Sequence, residues 1–143
     1  MKLQFRDRID FGLLVLRLGI GLMFVIVHGL PKLVGGVSIW KGLGGAFNRL
    51  LGFPFVPEFW GFLASVSEFG GGICLIAGVF FRPACVLMLF TMVIAVASII
   101  RGGYGFNSAS QPVELGIVLL GLLLTGPGKL TLPNLFTTWK ATR

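Results

Sequence analysis

Four apolar stretches, over residues 11–27, 59–81, 84–100 and 115–125, dominate this chain. The first is interrupted only by Arg17 and the second only by Glu68, while the third carries no charge. A helix needs about twenty apolar residues to cross the hydrocarbon core of a bilayer. The first three approach or reach that length. The fourth reaches it only when extended back through residues 108–114, which brings Pro112 and Glu114 near its start. Proline is tolerated in a first helical turn, so the extension is sterically sound. Only 12% of the residues are charged and the mean hydropathy is +0.94. A soluble domain carries about 25% charged residues. This chain cannot cover a globular surface with polar groups, so lipid must be the solvent for much of it. The expected fold is all-α: one integral membrane four-helix bundle over residues 1–143, with helices near 10–30, 58–81, 83–101 and 109–126.

The basic start (Lys2, Arg6, Arg8) fits a secretory signal, but Arg17 within the apolar run and the absence of a small-x-small cleavage site do not, so the first helix is expected to be retained. The net charge of +7 contains no Lys/Arg run, which argues against nucleic acid as a partner. The basic residues instead flank apolar segments, where they anchor helices to headgroups. Lys2, Arg6, Arg8, Arg82, Lys129, Lys140 and Arg143 fall on one side of the expected topology, and Lys32, Lys41, Arg49 and Arg101 on the other. Seven against four places both termini in the cytoplasm of a bacterial-type cytoplasmic (inner) membrane.

Most connections are short. Arg82-Pro83 turns the chain between the second and third helices, residues 101–111 link the third and fourth, and Gly126-Pro127-Gly128 ends the fourth. The segment from His28 to Glu58 is longer. Within it Trp40, Leu43, Phe47 and Leu50 recur at helical spacing, with Lys41, Asn48 and Arg49 between them. This predicts an interfacial amphipathic helix, capped by Ser38 and bent by Gly44-Gly45 and by Pro54 and Pro57. The spacing of Gly70, Cys74 and Gly78 suits close helix packing, in the bundle or at a dimer seam. Gly121 and Gly126 mimic a phosphate-binding loop, but Pro127 stands where its lysine would be.

Charge inside the apolar helices is the sharpest chemical signal. An arginine at mid-bilayer costs about 2.5–3.5 kcal/mol on insertion scales. Arg17, Glu68 and Glu114 therefore need partners, and the obvious ones are each other. Counted from one end of the helices, Arg17 and Glu68 lie roughly 16 and 13 Å deep; counted from the other, roughly 12 and 20 Å. Side chains lean toward the amino end of their own helix, which works against a direct pair. Arg17 and His28 are eleven residues apart, almost three turns, and share a face with Gly21 and Phe24. Ser65 and Glu68 share a face of the second helix, and Thr91 and Ser98 one of the third. These residues predict a polar seam inside the bundle, suited to a quinone headgroup, a proton or a small anion, or else serving only to fix helix register. With one histidine and two separated cysteines, Cys74 and Cys85, no metal or haem centre is expected.

Arg17-x-x-x-Gly21 followed by Phe24, Gly29 and Lys32 resembles the first helix of DoxX proteins. The run from Glu68 to Gly78 with Arg82-Pro83-Ala84 is similar to their second helix and turn, and Glu114-Leu115-Gly116 and Gly126-Pro127-Gly128-Lys129 to their last motif. The chain departs from the family pattern at Lys129, Thr131 and Pro133-Asn134. The resemblance implies a four-helix membrane bundle with Arg17, Glu68 and Glu114 in its polar core. It also implies a membrane subunit of a quinone-linked redox system, like thiosulfate:quinone oxidoreductase or a thiol and oxidative-stress complex. Such a subunit would use quinone as cofactor and a redox enzyme subunit as protein partner, or would pair with its own copy. It would not be catalytic alone. The ligand-binding residues are expected to be Arg17, His28, Ser65, Glu68 and Glu114. Two other readings stand beside this one: a non-catalytic membrane scaffold for a soluble redox enzyme, and a small transporter or channel.

Overall fold

The computed structural model describes residues 5–52 and 56–141. Its elements are α1 (Phe5–Met23), a π-helical turn (Phe24–Gly29), α2 (Leu30–Val34), α3 (Gly36–Leu51), α4 (Pro57–Ala77), α5 (Phe81–Arg101), α6 (Gly105–Thr125) and α7 (Leu132–Ala141). Four helical runs are long and apolar enough to cross a bilayer: Asp7–Val34, Pro57–Ala77, Phe81–Arg101 and Gly105–Thr125. The last three have 21 residues each, roughly 32 Å, which matches the hydrocarbon thickness. The protein is an all-α four-helix membrane bundle.

The helix at the centre of the packing is α4. It receives α1, the π turn and α3 along its length and α5 beside it, while α6 packs against α5. Along α1 and α4 the contacts run in opposite order, with Arg17 beside Gly78, Gly21 beside Gly72 and Gly29 beside Phe69. The two helices are therefore antiparallel. A Cβ on Gly21 would lie 2.9 Å from the Gly72 carbonyl oxygen, and one on Gly72 would lie 2.8 Å from that of Gly21. This backbone-on-backbone crossing, not the Gly70–Cys74–Gly78 stripe, sets the α1–α4 separation. Gly70 has no neighbour within 4 Å of its Cβ position. The buried core joins Phe24, Leu75, Cys85, Met88, Leu119 and Leu122 from the four spans. Leu22, Val27, Val66, Val86, Val93, Leu120 and Leu124 point outward, as lipid-facing side chains must.

Four local expectations change. The first span does not end near residue 30 but stays helical to Val34. It does so through the π turn, in which the Leu30 N–H donates five residues back to the Val25 carbonyl, and Pro31 then opens α2. Ser38 does not cap α3: the helix begins at Gly36, and Ser38 is exposed inside it. α3 runs as unbroken α-helix through Gly44-Gly45, and Gly44 is where the backbone of Pro57 packs. Pro57 opens α4, and Pro54 lies outside the described residues. Finally, α6 begins at Gly105, so Pro112 sits buried inside the helix and not in its first turn. The linker before it shrinks to Gly102-Gly103-Tyr104.

The amphipathic helix between the first two spans is α3, and its apolar face is turned onto α4 and α5. Phe47 stacks on Trp60 with ring centroids 4.2 Å apart, and Trp40 meets the edge of Phe62 at 5.0 Å. Lys41 pairs with Glu58 at 3.3 Å on the outer side of this contact.

A candidate intramembrane site between α3, α4 and α5

The deepest charge on α4, Glu68, is 3% exposed and is held by Lys32. Lys32 Nζ donates to both carboxylate oxygens, at 2.7 and 2.5 Å. Two features put Lys32 there. The helical extension through α2 carries it to the level of Glu68, and the Trp40 indole N–H donates to the Lys32 carbonyl at 2.9 Å, pinning the backbone where α2 passes into α3. An ammonium so placed offsets the cost of a carboxylate below the headgroups.

The pair opens onto a cavity of about 310 Å³ between α3, α4 and α5. Its walls are apolar: Leu43, Phe47, Leu63, Leu87, Phe90 and Ile94 are among them. Against this surface stand a few polar groups. Two of them, Trp60 Nε1 and Ser67 Oγ, are buried and have no hydrogen-bond partner among the described residues. Thr91 and Ser98 also line the cavity, but their hydroxyls are spent on their own helix, donating to the Met88 and Ile94 carbonyls. An apolar slot with a few convergent polar groups is the usual form of a small-molecule site.

Arg17 lies elsewhere. Its guanidinium is fully buried beside Gly78, ten residues beyond Glu68 on α4, which is roughly 15 Å along the helix axis. It donates through Nη2 to the carbonyl of Leu130, in the segment between α6 and α7. Among the described residues, its Nε and Nη1 have no hydrogen-bond partner. Seven residues earlier on α1, Asp10 accepts from the Lys129 N–H at 2.9 Å. Arg17 and Asp10 thus tie α1 to residues 129–130. The expected Arg17–Glu68 pairing is replaced by two separate arrangements, in the direction that the lean of helical side chains favours.

The other named residues divide. His28 is half-buried, with its ring 5.5 Å from that of Phe24, one turn before Lys32. The inward position is taken by Gly29, because the extra residue of the π turn moves the buried face on by one. Ser65 is buried but donates to the Gly61 carbonyl at the α3–α4 crossing, away from the cavity. Glu114 is exposed on α6 and meets neither Glu68 nor Arg17, since α6 packs on the far side of α5. Sequence reasoning missed Lys32, Trp60 and Ser67 as site residues. Lys32 was legible in part, standing four residues after His28 on one helical face.

The family model described as DoxX matches residues 12–101, which include most of the first span, all of the second and third, and the whole lining of this cavity. The likeness of Glu114-Leu115-Gly116 and of residues 126–129 to the family falls beyond the matched segment. No curated protein and no solved structure matches the chain. The match covers well over half of the 143 residues, and this four-span membrane protein belongs to the DoxX family.

Proposed function

We propose that the cavity between α3, α4 and α5 receives a quinone headgroup, and that the chain is the membrane subunit of a quinone-linked redox system. The observation that carries this reading is the Lys32–Glu68 pair at the edge of an apolar cavity that also holds two unpartnered buried donors, Trp60 Nε1 and Ser67 Oγ. A quinone is a flat apolar ring with two carbonyl acceptors. Phe47, Leu63, Leu87 and Phe90 suit the ring, and the free indole N–H and hydroxyl suit the carbonyls. Reduction to the quinol takes up two electrons and two protons. Glu68 is placed to relay a proton, and Lys32 to steady the negative charge that builds on a carbonyl oxygen. Arg17 on α1, level with Gly78 ten residues further along α4, takes no part. The electrons come from a donor site on a partner protein, as in a thiosulfate:quinone oxidoreductase or a thiol and oxidative-stress complex.

The excess of Lys and Arg on the terminal side supports a cytoplasmic (inner) membrane location with both termini in the cytoplasm. The cavity then lies in the outer half of the bilayer. The test is a titration of the purified chain in lipid nanodiscs with a short-chain ubiquinone analogue, read by tryptophan quenching. Saturable quenching that is weakened at least tenfold in Ser67→Leu supports the site. Quenching that is linear, or unchanged by the substitution, rejects it.

A further inference from the structure

A second cavity, of about 320 Å³, lies at the end of the bundle opposite the termini. Arg49 from the last turn of α3 and Arg101 from the last turn of α5 both line it, together with Tyr104, Ser98, Ala46 and Leu50. Two guanidinium groups on one cavity repel one another unless an anion lies between them. The chain has five acidic residues. Glu58 is engaged by Lys41, Glu68 by Lys32 and Asp10 by Lys129. Asp7 sits at the opposite end on α1, and Glu114 projects from α6 more than two turns below its start. Among the described residues, neither Arg49 nor Arg101 is in an ion pair. Among the described residues no carboxylate balances them, so an anion bound here comes from outside the chain.

We propose that this cavity binds a phosphate-class oxyanion, held by Arg49 and Arg101. Guanidinium groups match the geometry of phosphate oxygens with paired N–H donors. The cavity shares Ala46 and Ser98 with the larger apolar cavity, so the anion site adjoins the apolar slot between the helices. That continuity accommodates a phosphate carried on a lipid as well as a free one. Neither arginine lines the larger cavity, so the site stands whether or not a quinone binds there.

Native mass spectrometry of the purified chain with added phosphatidylglycerol tests the lipid source, and a titration with inorganic phosphate followed by 31P line broadening tests the free anion. The variants are Arg49→Gln/Arg101→Gln, the charge-conserving Arg49→Lys/Arg101→Lys, and Arg82→Gln as a control at the other end of the bundle. All three positions are exposed, so the fold is preserved. Two exposed charged contacts together are worth about tenfold in affinity. The glutamine pair is expected to lose about that factor for whichever probe binds, the lysine pair less, and the control nothing. Lipid adducts without phosphate broadening identify a lipid headgroup; broadening abolished by the glutamine pair identifies a free anion. Equal binding by wild type and the glutamine pair, or an equal loss in Arg82→Gln, overturns the proposal.

Discussion

Lys32 and Glu68, thirty-six positions apart in sequence, form a two-pronged ion pair within the span region, with the Glu68 side chain almost wholly enclosed and the Lys32 side chain 27% exposed. The unequal enclosure has an energetic consequence. Lys32→Met leaves a buried carboxylate with no cation, the kind of change that costs about 3–5 kcal/mol. Glu68→Gln leaves an ammonium that can reach headgroups or water by extending its stem, so the cost is smaller, about 1–2 kcal/mol. The double variant Lys32→Met/Glu68→Leu is expected to recover most of the lost stability. Thermal unfolding in detergent measures all three; equal losses for the two single variants would contradict this account.

The α3–α4 contact depends on the absence of two side chains. A Cβ on Gly44 would sit 1.7 Å from the Pro57 carbonyl oxygen, and one on Gly61 would sit 1.9 Å from that of Trp40. Neither carbonyl can yield without moving a helix. Gly44→Ala and Gly61→Ala are each expected to lower stability by about 1–3 kcal/mol and to prise α3 from the cavity wall. Gly70→Ala, with nothing within 4 Å, is expected to stabilise by up to about 1 kcal/mol. Melting temperatures of the three variants check the contrast.

Arg17 gives a prediction of a different kind. Its removal in Arg17→Met loses a charge-assisted hydrogen bond to Leu130 but also relieves a buried cation that lacks a carboxylate partner. The two terms oppose each other, so the melting temperature should move little. The segment after α6 should loosen nonetheless. Hydrogen exchange across residues 126–135 is expected to quicken in Arg17→Met, and further in Asp10→Asn/Arg17→Met, while exchange in α4 and α5 stays unchanged.

Filling the cavity separates binding from folding. Ala64 and Ala95 line it from α4 and α5. Ala95→Phe should keep the helical fold, since it enters empty space, and should abolish saturable quinone quenching. Retained quenching with a normal circular dichroism spectrum would place the quinone elsewhere.

Much of the fold was legible because hydropathy acts over whole segments: three long apolar runs, two of them with a single charge and one with none, leave no other solvent than lipid. The amphipathic α3 was legible for the same reason, through Trp40, Leu43 and Phe47. Boundaries were less so. Pro112 reads as a helix start, yet within a packed span the missing N–H is tolerated, and α6 runs through it. The site was half legible. Glu68 stood out as a charge in an apolar helix, but its partner did not, because Lys32 lies past the apparent end of the first apolar run. The charges of Arg17 and Glu68 call for partners and make each the obvious one for the other, but the contact order along α1 and α4 separates them by ten residues. Trp60 and Ser67 carry no sequence signal of their own; only the absence of a partner in the folded bundle marks them.

The π turn at Phe24–Gly29 works as a spacer in the count of residues between the Gly21–Gly72 crossing and the lysine that meets Glu68. Each residue of a helix advances the direction of the next side chain by about 100°. The π turn takes up one residue more than α geometry needs for the same rotation, so excising one of its residues would let the helix close into regular α geometry with the ammonium still facing its carboxylate, whereas adding a residue would swing everything downstream by that angle. The chain should therefore tolerate the loss of one residue from this turn better than the gain of one.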